Sequence, residues 1–144
     1  MNKLAQIGNL LKKTYRVYSN TLLQRLQDKG YTDLRASFLE ILSYISENEG
    51  VSIKLIGTNC GLKKQTMTSH LNELEKRGYL RRQAGLKDKR EQCVYLTEYG
   101  QKFKFSLLEA LDEIEQEYSR RLGEVEFERI EHILGNFHNK VTEV

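Results

Sequence analysis

The chain has 144 residues, 39% of them hydrophobic and 30% charged, with no Pro, no Trp and a net charge of +3. That is enough for one domain with a true core, or for a domain with an assembly extension. It argues against a membrane span, because no run approaches the roughly 18–20 apolar residues one needs, and two cysteines do not make a disulfide framework.

Leu4, Ile7, Leu11, Tyr15, Tyr18, Leu22 and Leu26 recur at three- and four-residue steps, which predicts one long helix with an apolar stripe, stopped at Gly30. Thr32 is the expected N-cap of a second helix, striped by Leu34, Phe38, Leu42 and Ile45 and ending near Glu49 and Gly50. Ser52 is placed to cap a short helix from Ile53 to Cys60, which Gly61 breaks. A fourth helix follows from Lys64 to Arg77, with Met67, Leu71 and Leu74 inward and Gly78 as its stop. Residues 79–84 and 91–96 are short β-prone runs around a polar loop. Thr97 then caps a long helix striped by Phe103, Leu107, Leu111, Ile114, Tyr118 and Leu122. Gly123 interrupts it, and a last helix carries Phe127, Ile130, Leu134, Phe137 and Val141.

The expected class is mainly α with a small β-hairpin wing (α+β). A winged helix-turn-helix over 31–97 stands between dimerisation helices at 1–30 and 98–144. Long terminal helices with apolar stripes need a cover, and a second copy of the same chain supplies one. Charge is uneven along this plan. Residues 61–92 hold nine Lys/Arg against four Asp/Glu, whereas 98–144 hold six against eleven. A positive middle third followed by acidic helices is the distribution of a nucleic-acid binder, which concentrates cations where phosphates must be neutralised.

A helix entering the major groove needs short polar or basic side chains outside and apolar ones behind. With Met67, Leu71 and Leu74 inside, the outward set is Lys64, Gln65, Thr68, Ser69, Asn72 and Lys76, with Lys63, Thr66 and His70 at its start and flanks. Gln65 and Asn72 have the amides to read base edges. Lys87, Lys89 and Arg90 occupy a turn tip able to reach phosphates or the minor groove, and Arg81 and Arg82 sit at the hairpin base as phosphate neighbours. Asp88 would repel DNA if unpaired, so its expected role is to orient Arg90 through a short ion pair.

Three phrases in order make the chain resemble the MarR family (multiple antibiotic resistance regulators). They are Leu74-Glu75-Lys76-Arg77-Gly78-Tyr79-Leu80, Asp88-Lys89-Arg90, and Leu96-Thr97-Glu98-Tyr99-Gly100. The resemblance spans the whole chain in element order and is strongest from Ser52 to Lys102. It implies a dimeric winged-helix regulator of transcription, a repressor on a pseudo-palindromic operator of double-stranded DNA. It also implies a small amphipathic or aromatic effector in a crevice bordered by the first helix, where Tyr15 and Tyr18 lie. The chain departs from the family at Ser69, where Arg is common, and at Lys63, where a Ser/Thr cap is common.

Other tempting residues point to ordinary structure. The resemblance implies a buried Leu of the short helix at the place of Cys60, so a small core hydrophobe is expected there, and Cys93 lies in the second wing strand with partial exposure expected. His132 and His138 are six apart, on different helix faces, so no metal site is expected. No phosphate loop, nucleophile elbow or framed carboxylate pair suggests an enzyme or a cofactor. Residues 1–13 lack an unbroken apolar stretch, so no export signal is expected and the expected location is cytoplasmic, without a membrane partner. The competing reading is a protein-interaction module on the same fold, with only weak, nonspecific DNA contact.

Overall fold

Asn2 starts the first helix: its Oδ1 accepts from the amides of Leu4 at 2.8 Å and Ala5 at 3.2 Å, satisfying two of the free N–H groups of a helix start. The structure, a computed structural model, describes residues 2–143. Helix α1 runs Lys3–Asp28, α2 Ala36–Glu47, α3 Ile53–Cys60, α4 Lys64–Lys76, α5 Glu98–Leu122 and α6 Glu124–Thr142. Three strands, β1 (Val51–Ser52), β2 (Leu80–Ala84) and β3 (Gln92–Leu96), form an antiparallel sheet in the order β1-β3-β2. The mainly α plan with a small wing is therefore the fold. Two compact units divide the chain, Met1–Leu108 and Glu109–Val144.

The first unit has one core. Leu22 and Leu26 of α1, Phe38, Ile41, Leu42 and Ile45 of α2, Ile56 of α3 and Met67, Leu71 and Leu74 of α4 are all essentially buried. Leu80, Val94 and Phe103 close it from the sheet and the start of α5. The inward stripe of α4 is the predicted one. Tyr79, at 0% exposure, shows how a polar tip is accommodated: its ring packs edge-on against Phe103, 5.4 Å between centroids, while its hydroxyl donates to Asp33 Oδ1 at 2.7 Å. Burial, and then the Asp33 hydrogen bond, push the Tyr79 phenol far above its usual range.

α4 ends in a glycine cap. Gly78 takes φ +87°, its N–H donates to Glu75 O, and the Tyr79 N–H reaches back to Leu74 O at 3.0 Å, the paired hydrogen bonds of a helix closed by one residue in the left-handed conformation. The chain then knots itself at the base of the hairpin. Thr97 Oγ1 donates to Gly78 O and accepts from Gly100 N–H at 3.0 Å, while Thr97 N–H donates to Tyr79 O. Gly100 packs so closely there that a Cβ would stand 2.0 Å from Tyr79 O.

Four expectations need correcting. Thr32 does not cap α2; that helix starts at Ala36 behind Arg35, which gives no side-chain cap, and buried Leu34 lies before the helix. Strand β1 was not foreseen, because two residues are too few for an alternating pattern to register. Its pairing makes β3 the central strand, with Ser52 opposite Cys93. The two thiols exchange the exposures expected of them: Cys93 is buried and Cys60 is half-buried. In α5 the buried run is Phe103, Leu107, Ala110 and Ile114, so the small Ala110 takes the place assigned to Leu111.

In the second unit α6 buries no residue. Val125, Ile130, Ile133, Leu134, Phe137 and Val141 are between 37% and 75% exposed. The N-terminal half of α1 is similar within its own unit, with Leu4, Ile7, Leu10 and Leu11 open. Among the described residues, no helix is long and apolar enough to cross a membrane.

Candidate nucleic-acid interface

The polar face of α4 is built by the same periodicity that buries its apolar face. Lys64, Gln65, Thr68, Ser69 and Asn72 line one shallow open surface, and Lys63, Thr66 and Lys76 are exposed beside it. Lys63 precedes the helix without a side-chain cap, so the first amides of α4 have no capping oxygen. His70 turns away from this face. It is half-buried, meets the Phe38 ring edge-on at 5.0 Å, and its Nδ1 is buried without a hydrogen-bond partner. Burial, and then the neighbouring Arg35, hold its pKa below the ordinary histidine value. The guanidinium of Arg35 lies 4.2 Å and that of Arg77 5.1 Å from the same Phe38 ring centroid. Arg77 also bonds Glu73 Oε1 at 3.0 Å and the Asp33 carbonyl, tying α4 to the segment before α2.

A second tie joins α4 to the wing. Arg82 Nη2 donates to Glu75 Oε1 at 2.8 Å and to Asn72 Oδ1 at 2.7 Å, and its backbone N–H reaches Glu75 Oε2 at 3.3 Å. The Arg82 hydrogen bond holds the Glu75 carboxyl below the usual carboxylate range, outweighing its partial burial. This bridge ties the base of the hairpin to α4. It also occupies one face of the Asn72 amide, which leaves its NH₂ as the free group. Arg81 lies on the other side of β2, with its guanidinium 4.8 Å from the Tyr95 ring centroid and a hydrogen bond to Gln83.

The hairpin tip is a closed turn. Gly85 N–H donates to Glu91 O at 2.8 Å and Glu91 N–H to Asp88 O at 3.1 Å. Asp88 Oδ1 accepts from both the backbone N–H of Arg90, at 3.0 Å, and its Nε, at 3.3 Å. The Arg90 side chain is nevertheless 93% exposed. Lys87 and Lys89 project alongside it, and so does Leu86 at 87% exposure, an apolar tip residue that patterning did not single out.

Tyr15 and Tyr18 lie elsewhere, on a cleft of about 240 Å³ between α1 and α2, with Asn59 of α3 at its edge. Their rings are tilted toward each other at a centroid distance of 6.0 Å. The opposite wall, missed by sequence patterning, is one face of α2 carrying Glu40, Ser43, Tyr44 and Glu47. Burial pushes both phenols up, with Glu40 adding to the effect at Tyr15 and Glu47 at Tyr18. Burial, and then Glu40, push the Cys60 thiol up to about 11, the opposite of what a reactive thiolate needs.

Comparison with known proteins places this geometry. Residues 39–91, from α2 to the wing, match the model of the MarR family. The chain is 32% identical over 129 residues to the HTH-type transcriptional regulator SarZ of Staphylococcus aureus, covering 90% of this chain and 81% of that one. Among solved structures, a mutant MarR of E. coli complexed with operator DNA superposes with a TM-score of 0.78 at 20% identity, over 94% of this chain and 96% of that one. The PcaV transcriptional regulator of Streptomyces coelicolor, in complex with its natural ligand, gives 0.72 at 15%, over 96% of each. These two share the fold. Together with the sequence matches to SarZ and to the family model, the exposed polar face of α4 and its tethered basic wing identify the chain as a DNA-binding transcriptional regulator, not an enzyme, and a member of the MarR family.

Proposed function

We propose that the chain represses transcription as a homodimer, with each copy setting α4 into a major groove and its wing along the flanking minor groove. The observation that carries this reading is the Arg82 bridge, which ties the base of the cationic hairpin to the exposed polar face of α4 in one contact unit. In it Gln65, Thr68, Ser69 and Asn72 face base edges, with the Asn72 NH₂ as donor. Lys63, Lys64, Thr66, Lys76, Arg81, Lys87, Lys89 and Arg90 meet phosphates or the minor-groove wall, and Asp88 aims Arg90. Arg82 and His70 support this surface from within: one is spent on Glu75 and Asn72, the other packs on Phe38.

The open apolar stripes of α1 and α6 support dimerisation, since each carries large aliphatic side chains that its own unit leaves uncovered. A two-fold dimer would read two half-sites roughly one helical turn, about 10 bp, apart. The cleft holding Tyr15 and Tyr18 is the place for a small effector that releases the DNA; PcaV, which shares the fold, is itself known in complex with a ligand. The protein would act in the cytoplasm. Selection of bound duplexes from a random library of about 30 bp at near-physiological salt, where nonspecific phosphate binding is suppressed, tests the reading. An enriched inverted repeat supports it. Recovery of unrelated duplexes by folded, dimeric protein favours a protein-interaction module instead.

A further inference from the structure

We infer that the cleft between α1 and α2 binds a small organic cation with an aromatic or apolar body, rather than an organic acid. The cavity of about 240 Å³ is smaller than the roughly 300–1,000 Å³ of sites for drug-sized molecules, so it suits about one substituted ring. One wall offers the rings of Tyr15 and Tyr18, and the other offers Glu40 and Glu47, with Tyr44 between them. Two turns of α2 separate the carboxylates, about 10 Å along the axis, so a cation held between them lies within reach of both. Among the described residues that line the cleft there is no Lys, Arg or His, and neither Glu40 nor Glu47 has a cationic partner within ion-pair distance.

Aromatic rings on one wall and carboxylates on the other make an open cleft of negative character. The ring quadrupoles attract a cation from one side and the charges attract it from the other, while an organic acid meets like charge and no donor cation. The phenols of Tyr15 and Tyr18 are raised first by burial and then by the neighbouring carboxylates, Glu40 at Tyr15 and Glu47 at Tyr18, which agrees with that lining. Binding of the cation rests on this lining alone. Its regulatory consequence rests on the reading of the chain as an effector-released regulator.

The test compares benzyltrimethylammonium with benzoate on the full chain, following the Tyr15 and Tyr18 resonances by NMR. The cation is expected to shift them saturably and to bind more tightly than benzoate. The double variant Glu40→Gln/Glu47→Gln should weaken the cation about tenfold or more and leave benzoate unweakened. Tyr15→Phe, which keeps the ring, should retain cation binding, and Tyr15→Leu should lose most of it. Benzoate binding as tightly as the cation overturns the inference, and so does a double variant that is folded and binds the cation undiminished. Duplex affinity measured with and without saturating cation separates the two readings. Cation binding without loss of DNA affinity keeps the site and overturns effector release, whereas absence of cation binding in a protein that still grips DNA overturns the site alone.

Discussion

Helices α4 and α6 carry apolar residues at the same three- and four-residue steps, yet they end in opposite states. α4 buries Met67, Leu71 and Leu74 to 2% exposure or less and turns its polar residues outward, whereas α6 buries nothing and leaves Ile133 and Leu134 about half open. Periodicity therefore tells that a helix has a face to hide, and only the surrounding chain tells where it is hidden. α4 has α2, α3 and the sheet within its own unit. α6 presents its stripe as the demand for another surface.

The contrast can be broken most sharply at the two stripes. Leu71→Ala removes a side chain from a filled core and should cost about 2–5 kcal/mol of unfolding free energy in a urea titration. Phe137→Ala should leave the far-UV spectrum nearly intact and raise the dimer dissociation constant at least about tenfold in sedimentation, as loss of an interface anchor does. Equal loss of chain stability in both, with association untouched, would show that α6 is ordinary core. A smaller effect belongs to the wing. Lys89→Ala/Arg90→Ala touches no core residue, so folding and association should survive, while duplex affinity falls about tenfold and the slope of log affinity against log salt drops by about 2. Unchanged affinity would remove the wing from the DNA contact.

The smallest effect lies at the bridge between them. Glu75→Gln replaces a charge-assisted partner of Arg82 on a partly exposed site, worth at most about 1 kcal/mol. Because the folded state lowers the Glu75 pKa, its stabilisation is complete above the ordinary glutamate value and is lost as pH falls through the lowered one. The variant should therefore lose stability at neutral pH and show a flatter stability profile in that acid window. A profile parallel to that of the parent would mean that the Arg82 contact contributes nothing to folding.

Much of this was legible in the residues. The glycines at 30, 61, 78 and 123 marked helix ends, and each takes a positive φ in the structure. Ser52 and Thr97 cap as their hydroxyls promised, and the Asp88–Arg90 pair forms as charge required. What escaped is what depends on partners distant in sequence. β1 exists because β3 offers it an edge, and that pairing, invisible along the chain, sets Ser52 opposite Cys93. The acidic wall of the cleft escaped for a different reason. Glu40 and Glu47 stay exposed on α2, and no pattern along the chain shows that they line a cleft with α1. His70 likewise counted as one more polar residue until Phe38 claimed its ring.

The knot at the hairpin base has an architectural consequence. Chain leaves α4 at Gly78 and re-enters α5 at Thr97, and those two points are stitched to one another directly. Everything between them is a detour that begins and ends at the same place. The tip over residues 86–90 can therefore change length with little displacement passed to the helices, since the Gly85–Glu91 hydrogen bond and the closure lie behind it. Gly100 has no such latitude, because the backbone of Tyr79 already fills the space a side chain would need. One short stretch of chain thus separates a part free to diversify from a part that is not, which lets the reach of the wing be retuned while the helix it serves stays in register.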